Sequence, residues 1–275
     1  MSWRLSITLS ALLVALALFA RLGLSTAQSD EGEKARDKDG KESDAAFAVV
    51  ELFTSEGCSS CPPADALLRE LVQETSKDGR RVFCLGFHVD YWNRLGWTDP
   101  YSSAKFSQRQ QAYARALKTD RVYTPQMIVN GAEEFVGSDR KLARASIDAA
   151  LKRTPPSAVK LQQEKPSGAN SLALTYVVAK PPRGAVLHVA VVESNIRSEV
   201  KRGENGGRTL RHDNVVRAFQ TVRLDEAQEG HIELKLPTDL VRKNATAIAY
   251  IQEGDTPAIV GATALTVAPA GDESH

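Results

Sequence analysis

Two cysteines three positions apart, where an apolar run gives way to a helical pattern, constrain the fold of this 275-residue chain more than any other feature. Residues 45–53, AAFAVVELF, form an apolar run of strand length. After Cys61, apolar residues recur at the spacing of a helix that faces a core, at Ala64, Leu67, Leu68, Leu71 and Val72. The pattern predicts a buried strand, then Cys58 and Cys61, then a helix that begins near Cys61.

Strands and helices continue to alternate as far as the prolines of RTPPSA. The predicted elements are a strand at 81–89, a helix at 102–119, two short strands around Asn130-Gly131 and a helix at 138–153. Their order is β-α-β-α-β-β-α, which favours a parallel strand pair, an antiparallel hairpin and helices on both faces. Residues 45–155 are therefore predicted to form one α/β domain.

The rest of the chain has no helical period. Seven strands separated by Gly, Pro and Asn turns are predicted, at 158–163, 171–179, 185–194, 214–224, 230–236, 245–252 and 257–267. Short strands at this spacing are typical of a β-sandwich. We expect a second, all-β sandwich-like domain over 156–268, followed by a flexible tail at 269–275.

The N-terminus has the pattern of an export signal. Arg4 precedes an apolar stretch at 5–20, and small residues at 25–27 predict cleavage after Ala27, so that 1–27 is a signal peptide. An uncleaved membrane anchor is the alternative. Residues 28–44 contain seven acids, four bases and no large apolar residue, a composition that predicts a disordered linker. Either reading places the protein outside the cytoplasm, where disulfides persist.

The charge balance argues against two classes of partner. The formal net charge is +1, with 35 basic and 34 acidic residues. Nucleic-acid binding depends on clustered positive charge, so we expect no nucleic-acid partner. Contact with a membrane is expected only through the N-terminal segment, if that segment stays uncleaved.

The cysteine pair itself predicts redox chemistry. Only a thiolate attacks a disulfide, and Cys58 lies just before a helix whose N–H groups and dipole favour negative charge. Cys61, one turn further on, is placed to resolve a mixed disulfide formed at Cys58. Glu56 and Asp65 are nearby acids that oppose thiolate formation.

Two other roles for these cysteines stay open. A purely structural disulfide across two residues closes a very small loop and removes little entropy from the unfolded chain. A copper or zinc site needs further ligands, for which Cys84 and His88 are the candidates. Cys84 lies mid-strand among apolar residues, where a buried inert thiol is the alternative. His88 ends the strand, at the sheet edge where α/β sites gather.

Two further segments are candidates for contact with a substrate. Residues 88–103 hold Trp92 and Trp97 in a loop that is predicted at the same sheet end as the cysteines. This loop is either a substrate platform or a plug of the core. Residues 201–217 are glycine-rich and basic, without P-loop spacing, and are either a binding loop or a connection that reaches toward the first domain.

Four motifs carry a resemblance to a known family: ELFTSEGCSSCPPAD, LGFHVDYWNRLGW, VYTPQMIVNG and GRTLRHDNVVR. They resemble a family of secreted bacterial thioredoxin-like proteins of unknown function, over nearly all the chain after residue 46. The resemblance implies a thioredoxin-like domain in the periplasm or outside the cell. It also implies a cis-proline at Pro125 beside the cysteines, with Tyr123 and Thr124 in the segment that pairs with an extended substrate.

Together these features predict an exported thiol–disulfide oxidoreductase. Cys58 and Cys61 are the predicted catalytic residues, and Thr124, Pro125, Tyr123, Trp92, Trp97 and His88 are the predicted substrate-binding residues. No cofactor or metal is expected, because the Cys58–Cys61 disulfide carries the electrons. The expected partners are protein thiols and disulfides of the cell envelope. The alternatives are a non-catalytic binding module with the same fold and a protein that delivers copper or zinc.

Overall fold

A computed structural model describes residues 45–119, 121–165, 168, 170–224 and 228–268. The predicted signal peptide at 1–27, the linker at 28–44 and the tail at 269–275 lie outside the described residues. Within the described ranges, no helix has both the length and the apolar character that crossing a membrane requires.

The described residues contain three α-helices, two 3₁₀ turns and thirteen strands. The helices are α1 Pro62–Asp78, α2 Ala104–Ala116 and α3 Arg140–Ala150, and the 3₁₀ turns are Asn93–Leu95 and Arg242–Asn244. The first seven strands are β1 Ala48–Thr54, β2 Val82–His88, β3 Gln126–Val129, β4 Glu133–Val136, β5 Ala158–Glu164, β6 Ser171–Ala179 and β7 Val186–Glu193. The other six are β8 Ile196–Glu199, β9 Thr209–His212, β10 Val215–Arg223, β11 Glu229–Lys235, β12 Ala245–Gln252 and β13 Ile259–Thr266.

One large sheet organises the molecule. It has eight strands in the order β13-β12-β7-β10-β2-β1-β3-β4, and a three-stranded sheet, β11-β6-β5, and a ribbon of β8 and β9 accompany it. Strands β1 and β2 are parallel, and β3 and β4 form an antiparallel hairpin beside β1. The fold is thus a mixed α/β fold with a large multi-stranded sheet and few helices.

The large sheet crosses the boundary that the sequence predicts between two domains. Strand β10 pairs parallel with β2, with Val215 beside Gly86, and so joins β7, β12 and β13 to β1–β4. Residue 156 therefore separates two kinds of secondary structure but not two sheets. The sequence pattern misses the junction because an apolar strand is equally suited to either neighbour.

Three apolar clusters cover the two faces of the large sheet. Helix α2 packs on one face, where Phe53, Phe87 and Phe106 meet residues of β7 and β12. Helices α1 and α3 pack on the other face, around Leu52 and Leu67. Further along that second face, the three-stranded sheet packs against β7, β12 and β13, which makes the sandwich-like part of the fold.

A buried polar network fastens α2 to the sheet. Glu51 in β1 is fully buried and accepts hydrogen bonds from Arg109 Nε (2.8 Å) and from the Tyr250 hydroxyl of β12 (2.9 Å). Tyr113 of α2 also donates to this carboxylate. Burial lowers the pKa of Arg109, but the Glu51 carboxylate outweighs this effect together with the nearby tyrosines, so the pKa lies further above its usual range and Arg109 stays protonated.

We expect Arg109→Met to lower the free energy of unfolding by about 3 kcal/mol, because it leaves the Glu51 carboxylate buried without its cation. Urea denaturation followed by circular dichroism measures the change. Arg115→Met is the matched control, since Arg115 is exposed on the same helix, and it should change stability by less than about 0.5 kcal/mol. Equal stability of both variants would contradict this role for Arg109.

Candidate functional site

Cys58 and Cys61 form a disulfide in the loop between β1 and α1. Both cysteines are fully buried, whereas the intervening Ser59 and Ser60 are exposed. The Ser60 hydroxyl lies 3.3 Å from the Cys58 sulfur, and the Thr124 carbonyl oxygen lies 3.9 Å from it. The pair is thus packed inside the protein with one hydroxyl and one carbonyl within reach of Cys58.

The start of α1 differs from the expectation that free N–H groups face the sulfur. Cys61 is the N-cap, and Pro62 and Pro63 have no N–H to offer. The N–H groups of Ala64 and Asp65 already donate to the Cys61 carbonyl oxygen (2.9 and 3.1 Å). The two prolines therefore remove the free donors, and the helix can favour a thiolate only through its dipole.

The segment before β3 lies against the cysteine pair. The Thr124–Pro125 peptide bond is cis. The Thr124 hydroxyl accepts a hydrogen bond from the Trp92 indole (2.8 Å). The Tyr123 hydroxyl instead donates to Glu134 (2.7 Å), and burial together with this carboxylate raises the pKa of Tyr123. Thr124 and Pro125 are therefore at the site, while the side chain of Tyr123 is engaged elsewhere.

Residues 88–103, the loop that holds Trp92 and Trp97, pack directly on the loop that carries the cysteines. A Cβ atom on Gly57 would lie 3.2 Å from the Trp92 Cβ, so only glycine fits there without displacement of the tryptophan. Trp97 donates from its indole nitrogen to Glu56 Oε2 (2.8 Å). Both predicted tryptophans therefore contact residues that immediately precede Cys58.

His88 supports the same loop through a buried ion pair. Its Nδ1 lies 2.7 Å from Asp99 Oδ2, and this oxygen also accepts the Glu56 backbone N–H (2.8 Å). Burial lowers the pKa of His88, but Asp99, with smaller contributions from Asp65 and Glu56, outweighs burial, so the pKa is raised. The pKa of Asp99 is lowered in turn, because His88 and two backbone N–H groups outweigh the effect of burial. His88 thus holds Glu56 in place through Asp99.

Residues 201–208 also pack over the cysteine loop. The sequence does not indicate which of these residues make the contacts. The buried Asn205 side-chain amide donates to the carbonyl oxygens of Glu56 and Cys58, both at 2.9 Å. Glu204 accepts the Ser59 N–H (2.9 Å). The sequence predicts that residues 201–217 are either a binding loop or a connection that reaches toward the first domain. It does not single out Asn205, because an asparagine in a glycine-rich loop gives no signal of its distant partner.

His212, at the end of β9, lies between two buried carboxyl groups behind the cysteine loop. Its ring nitrogens are 3.4 Å from Glu56 Oε1 and 3.8 Å from Asp65 Oδ2, and neither nitrogen makes a hydrogen bond with the described residues. Burial raises the pKa of Asp65, whose carboxylate accepts a hydrogen bond from Thr54 (2.8 Å). The His88 ring packs edge-to-face on His212, with centroids 4.9 Å apart.

Cys84 lies apart from this site, in the apolar cluster between the sheet and α1. Burial raises the pKa of its thiol to about 12, so it stays protonated at neutral pH. Among the described residues, no group of three or more His, Cys, Asp or Glu side chains has the geometry to hold a metal ion. The predicted alternative ligands Cys84 and His88 therefore do not form such a group with the pair.

A family model described as "Protein of unknown function (DUF1223)" matches residues 49–252. The chain belongs to this family. The match runs from β1 to the last residue of β12 and so includes the cysteine pair, His88, the Thr124–Pro125 segment and Asn205. The family description assigns no activity to any of these residues.

A crystal structure of a protein from Agrobacterium tumefaciens is 32% identical in sequence and aligns with a TM-score of 0.62, covering 84% of this chain and 99% of that chain. A domain of the outer membrane lipoprotein Omp28 from Porphyromonas gingivalis aligns at 10% identity with a TM-score of 0.27, over 43% of this chain and 93% of that one. A TM-score this low carries no structural inference. No curated protein matches the chain.

We expect Asn205→Ala to loosen the cover of the cysteines. Loss of two hydrogen bonds to buried carbonyl groups should lower the free energy of unfolding by about 2 kcal/mol. The disulfide should also react with dithiothreitol about tenfold faster, because local opening becomes easier. Thiol release followed by mass spectrometry measures the rate, and Lys201→Ala in the same loop is the control. An unchanged rate in Asn205→Ala would show that this loop does not limit access.

His88→Gln tests the buried ion pair through its pH dependence. Because the pKa of His88 is raised, the protonated imidazole contributes its full stability below pH 6.5, the ordinary pKa of a histidine. This contribution is lost as the pH rises through the raised pKa. Because the pKa of Asp99 is lowered, its ionised carboxylate contributes to the free energy of unfolding fully above pH 3.8, its ordinary pKa. This contribution is lost as the pH falls through the lowered pKa. The free energy of unfolding of His88→Gln should therefore be about 2 kcal/mol lower than that of the unaltered protein near pH 5.5. This difference should become smaller at alkaline pH.

Urea denaturation across pH 5 to 10 measures this deficit. The exposed His231, 3.1 Å from Glu164, is the matched control, and His231→Gln should change stability by less than about 0.5 kcal/mol. A deficit in His88→Gln that stays constant over the whole range would mean that His88 is not protonated in the folded protein.

Proposed function

We propose that this protein exchanges disulfides with other proteins through the Cys58–Cys61 pair. The observation that carries the proposal is the disulfide itself, formed across two residues at the start of α1, with the Thr124 carbonyl oxygen 3.9 Å from the Cys58 sulfur. A disulfide this short in sequence adds little stability by chain entropy, so redox exchange is the better reason for its presence.

The reaction has two balanced steps. In the reductive direction, the Cys58 thiolate attacks a substrate disulfide, a Cys58–substrate bond forms, and one substrate sulfur leaves as a thiolate. The Cys61 thiolate then attacks the Cys58 sulfur, the Cys58–Cys61 bond forms, and the second substrate sulfur leaves. The substrate gains two electrons and the pair loses two. The oxidative direction is the same sequence in reverse.

We infer a thioredoxin-like arrangement for residues 45–155. It is supported by the parallel pair of β1 and β2, by the antiparallel hairpin of β3 and β4, and by helices on both faces of these strands. The position of the Thr124–Pro125 segment supports it further, since the Thr124 carbonyl oxygen lies 3.9 Å from the Cys58 sulfur. In this arrangement the backbone of Thr124 pairs with an extended segment of the substrate, and Trp92 holds the Thr124 hydroxyl.

We also propose that the reaction takes place outside the cytoplasm, in the periplasm or the medium, with protein thiols and disulfides of the envelope as partners. The support is the signal-like sequence at 1–27, since a cleaved signal delivers the protein to a compartment where disulfides persist. Metal delivery has no observation in its favour among the described residues.

Variants of the two cysteines test the exchange reaction. Cys61→Ser should form a stable mixed disulfide with glutathione at Cys58, because the resolving thiol is missing. Cys58→Ser should leave Cys61 unmodified, since the attacking thiol is missing. Intact-mass spectrometry after equilibration with glutathione detects both products. Cys84→Ala is the control and should keep the reversible redox equilibrium of the pair.

A second function, a non-catalytic binding module, is favoured by the complete burial of both cysteines. The same equilibration separates the two functions. If the Cys58–Cys61 disulfide opens only when the protein unfolds, the exchange proposal is wrong. The protein would then be assigned the second function, that of a non-catalytic binding module. A reversible equilibrium in the folded protein, with a potential in the range of known exchange catalysts, would establish exchange and show its preferred direction.

A further inference from the structure

A cavity of about 1010 Å³ opens at the end of the large sheet where β1 and β2 begin, whereas the disulfide follows the end where β1 finishes. Its walls come from α1, the first residues of β2, the start of β8, the end of β9, and parts of β12 and β13. Among the lining residues, only His212 also belongs to the site around the cysteines. Volumes of this size are typical of ligand-binding clefts, so the cavity is a second candidate site.

The charges around the cavity are strongly one-sided. Within the described part of the chain, none of its basic residues makes an ion pair or a side-chain hydrogen bond. There are five of them: Arg69, Lys77, Arg197, Arg211 and Lys243. Asp213 is the single carboxylate among the described lining residues, and it already accepts the Asn195 N–H (2.6 Å). The cavity therefore presents unpaired positive charge, which favours an anionic ligand.

Two of these cations oppose each other directly. Arg197 of β8 and Arg211 of β9 are register partners on the exposed face of the ribbon. Like charges directly opposite on neighbouring strands destabilise the pair. Glu199, on the same face, forms no ion pair with either arginine among the described contacts. A carboxylate from a ligand would remove the repulsion, because the guanidinium fork matches its two oxygens.

The cations are spread too far apart for one small acid. Arg69, Gln73 and Lys77 follow one another at intervals of four residues and therefore share one face of α1. The eight residues from Arg69 to Lys77 correspond to about 12 Å along the helix axis. The ribbon and Lys243 contribute the other three cations from different walls. A ligand that meets these cations must carry several acidic groups along its length.

Neutral hydrogen-bonding side chains line the cavity together with the cations. Several of them have no side-chain hydrogen bond within the described residues, among them Gln73, Asn195, Asn244 and Thr246. Amide and hydroxyl side chains of this kind pair with hydroxyl groups of a ligand. A hydrocarbon chain would leave them without partners, at a cost in free energy. The lining thus favours a hydroxyl-bearing polyanion over an anionic lipid.

Two other kinds of polyanion fit this lining less well. A peptide that binds as an added strand needs an open strand edge. Here the Val82 N–H donates to the Arg80 carbonyl oxygen (2.9 Å), and the Cys84 carbonyl oxygen accepts the Asn214 amide (2.9 Å). A single-stranded nucleic acid binds by stacking successive bases on aromatic side chains. Phe83 is the one Phe, Tyr or Trp among the described residues that line the cavity.

Apolar surface completes the lining. Val72 and Phe83 are half-buried and line the cavity between α1 and β2. A sugar ring presents C–H groups on its faces and hydroxyl groups at its edge, so it can meet apolar side chains and amides at once. This combination of apolar surface and a few placed polar groups is typical of ligand sites.

We propose that this cavity binds an acidic oligosaccharide, a chain of sugar units that carries several carboxylates. Arg197 and Arg211 hold one carboxylate between them, and the α1 cations hold others along the chain. The neutral amides accept and donate hydrogen bonds to the sugar hydroxyl groups. This site goes beyond disulfide exchange, since it uses no sulfur and requires no change of redox state.

Fluorescein-labelled hexagalacturonate tests the proposal with the full chain. Fluorescence anisotropy at about 50 mM salt should show saturable binding that weakens at least about tenfold near 0.5 M salt. Arg197→Gln combined with Arg211→Gln should weaken binding by about tenfold or more. The matched control is Lys160→Gln combined with Lys235→Gln, which removes the same charge at exposed sites of the three-stranded sheet and should keep affinity within about twofold.

Two further ligands separate charge from sugar recognition. The fully methyl-esterified hexamer keeps the rings but loses the carboxylate charges, and it should bind at least about tenfold more weakly. Polyacrylate of similar length keeps the charges but lacks the rings and hydroxyl groups, and it should also bind at least about tenfold more weakly. Asn244→Ala should weaken binding of hexagalacturonate about fivefold and change binding of polyacrylate by less than about twofold.

Three results would overturn the proposal. They are the absence of saturable binding, equal affinity for hexagalacturonate and polyacrylate, and equal weakening in the two double variants. Tighter binding of polyglutamate than of hexagalacturonate would also overturn it and would assign the cavity to an acidic protein segment.

Discussion

Asn214 makes the joint on which the rest of the structure depends. Its carbonyl oxygen accepts the Gly86 N–H (2.8 Å), and its side-chain amide donates to the Cys84 carbonyl oxygen (2.9 Å). Ser194 after β7 donates to the same side chain (2.6 Å). One residue thus ties the α/β part of the chain to the all-β part, and β10 starts beside β2 at the next position. Because β9 ends two residues before Asn214, this joint also fixes His212 and the 201–208 loop at the cysteines.

The proposed site is therefore built from both parts of the chain. The first part supplies the sulfurs, the Thr124–Pro125 segment and the two tryptophans; the second supplies Asn205 and His212. An attacking sulfur must approach the disulfide directly, and both cysteines are fully buried. Reaction at Cys58 thus requires displacement of a neighbouring segment, and the hydrogen bonds of Asn205 and Trp92 set how easily this happens. Burial of the pair is compatible with exchange only if these contacts open.

The sequence predicts those features of the fold that depend on residues close together along the chain. The helix after Cys61, the hairpin at Asn130-Gly131 and the positions of the seven longer strands in the second half rest on periodicity or turn chemistry within about ten residues. The missed features depend on distant contacts: Asn205 bonds to Cys58 across 147 positions, and β10 chooses β2 as neighbour. The strands β8 and β9 were missed because four residues are too few for a clear alternation.

The charges around the pair bear on the direction of the proposed exchange. A pair becomes a strong oxidant when its reduced form is stabilised, above all as a thiolate. Here Pro62 and Pro63 remove N–H donors from the start of α1, and Glu56 and Asp65 flank the pair in the sequence and lie buried behind it. Both features disfavour a thiolate. The helix dipole acts in the opposite sense, and the nearby His88 is already paired with Asp99. For the exchange proposed above, this balance would stabilise the disulfide relative to the dithiol and lower the reduction potential, so we expect a reductant rather than an oxidant.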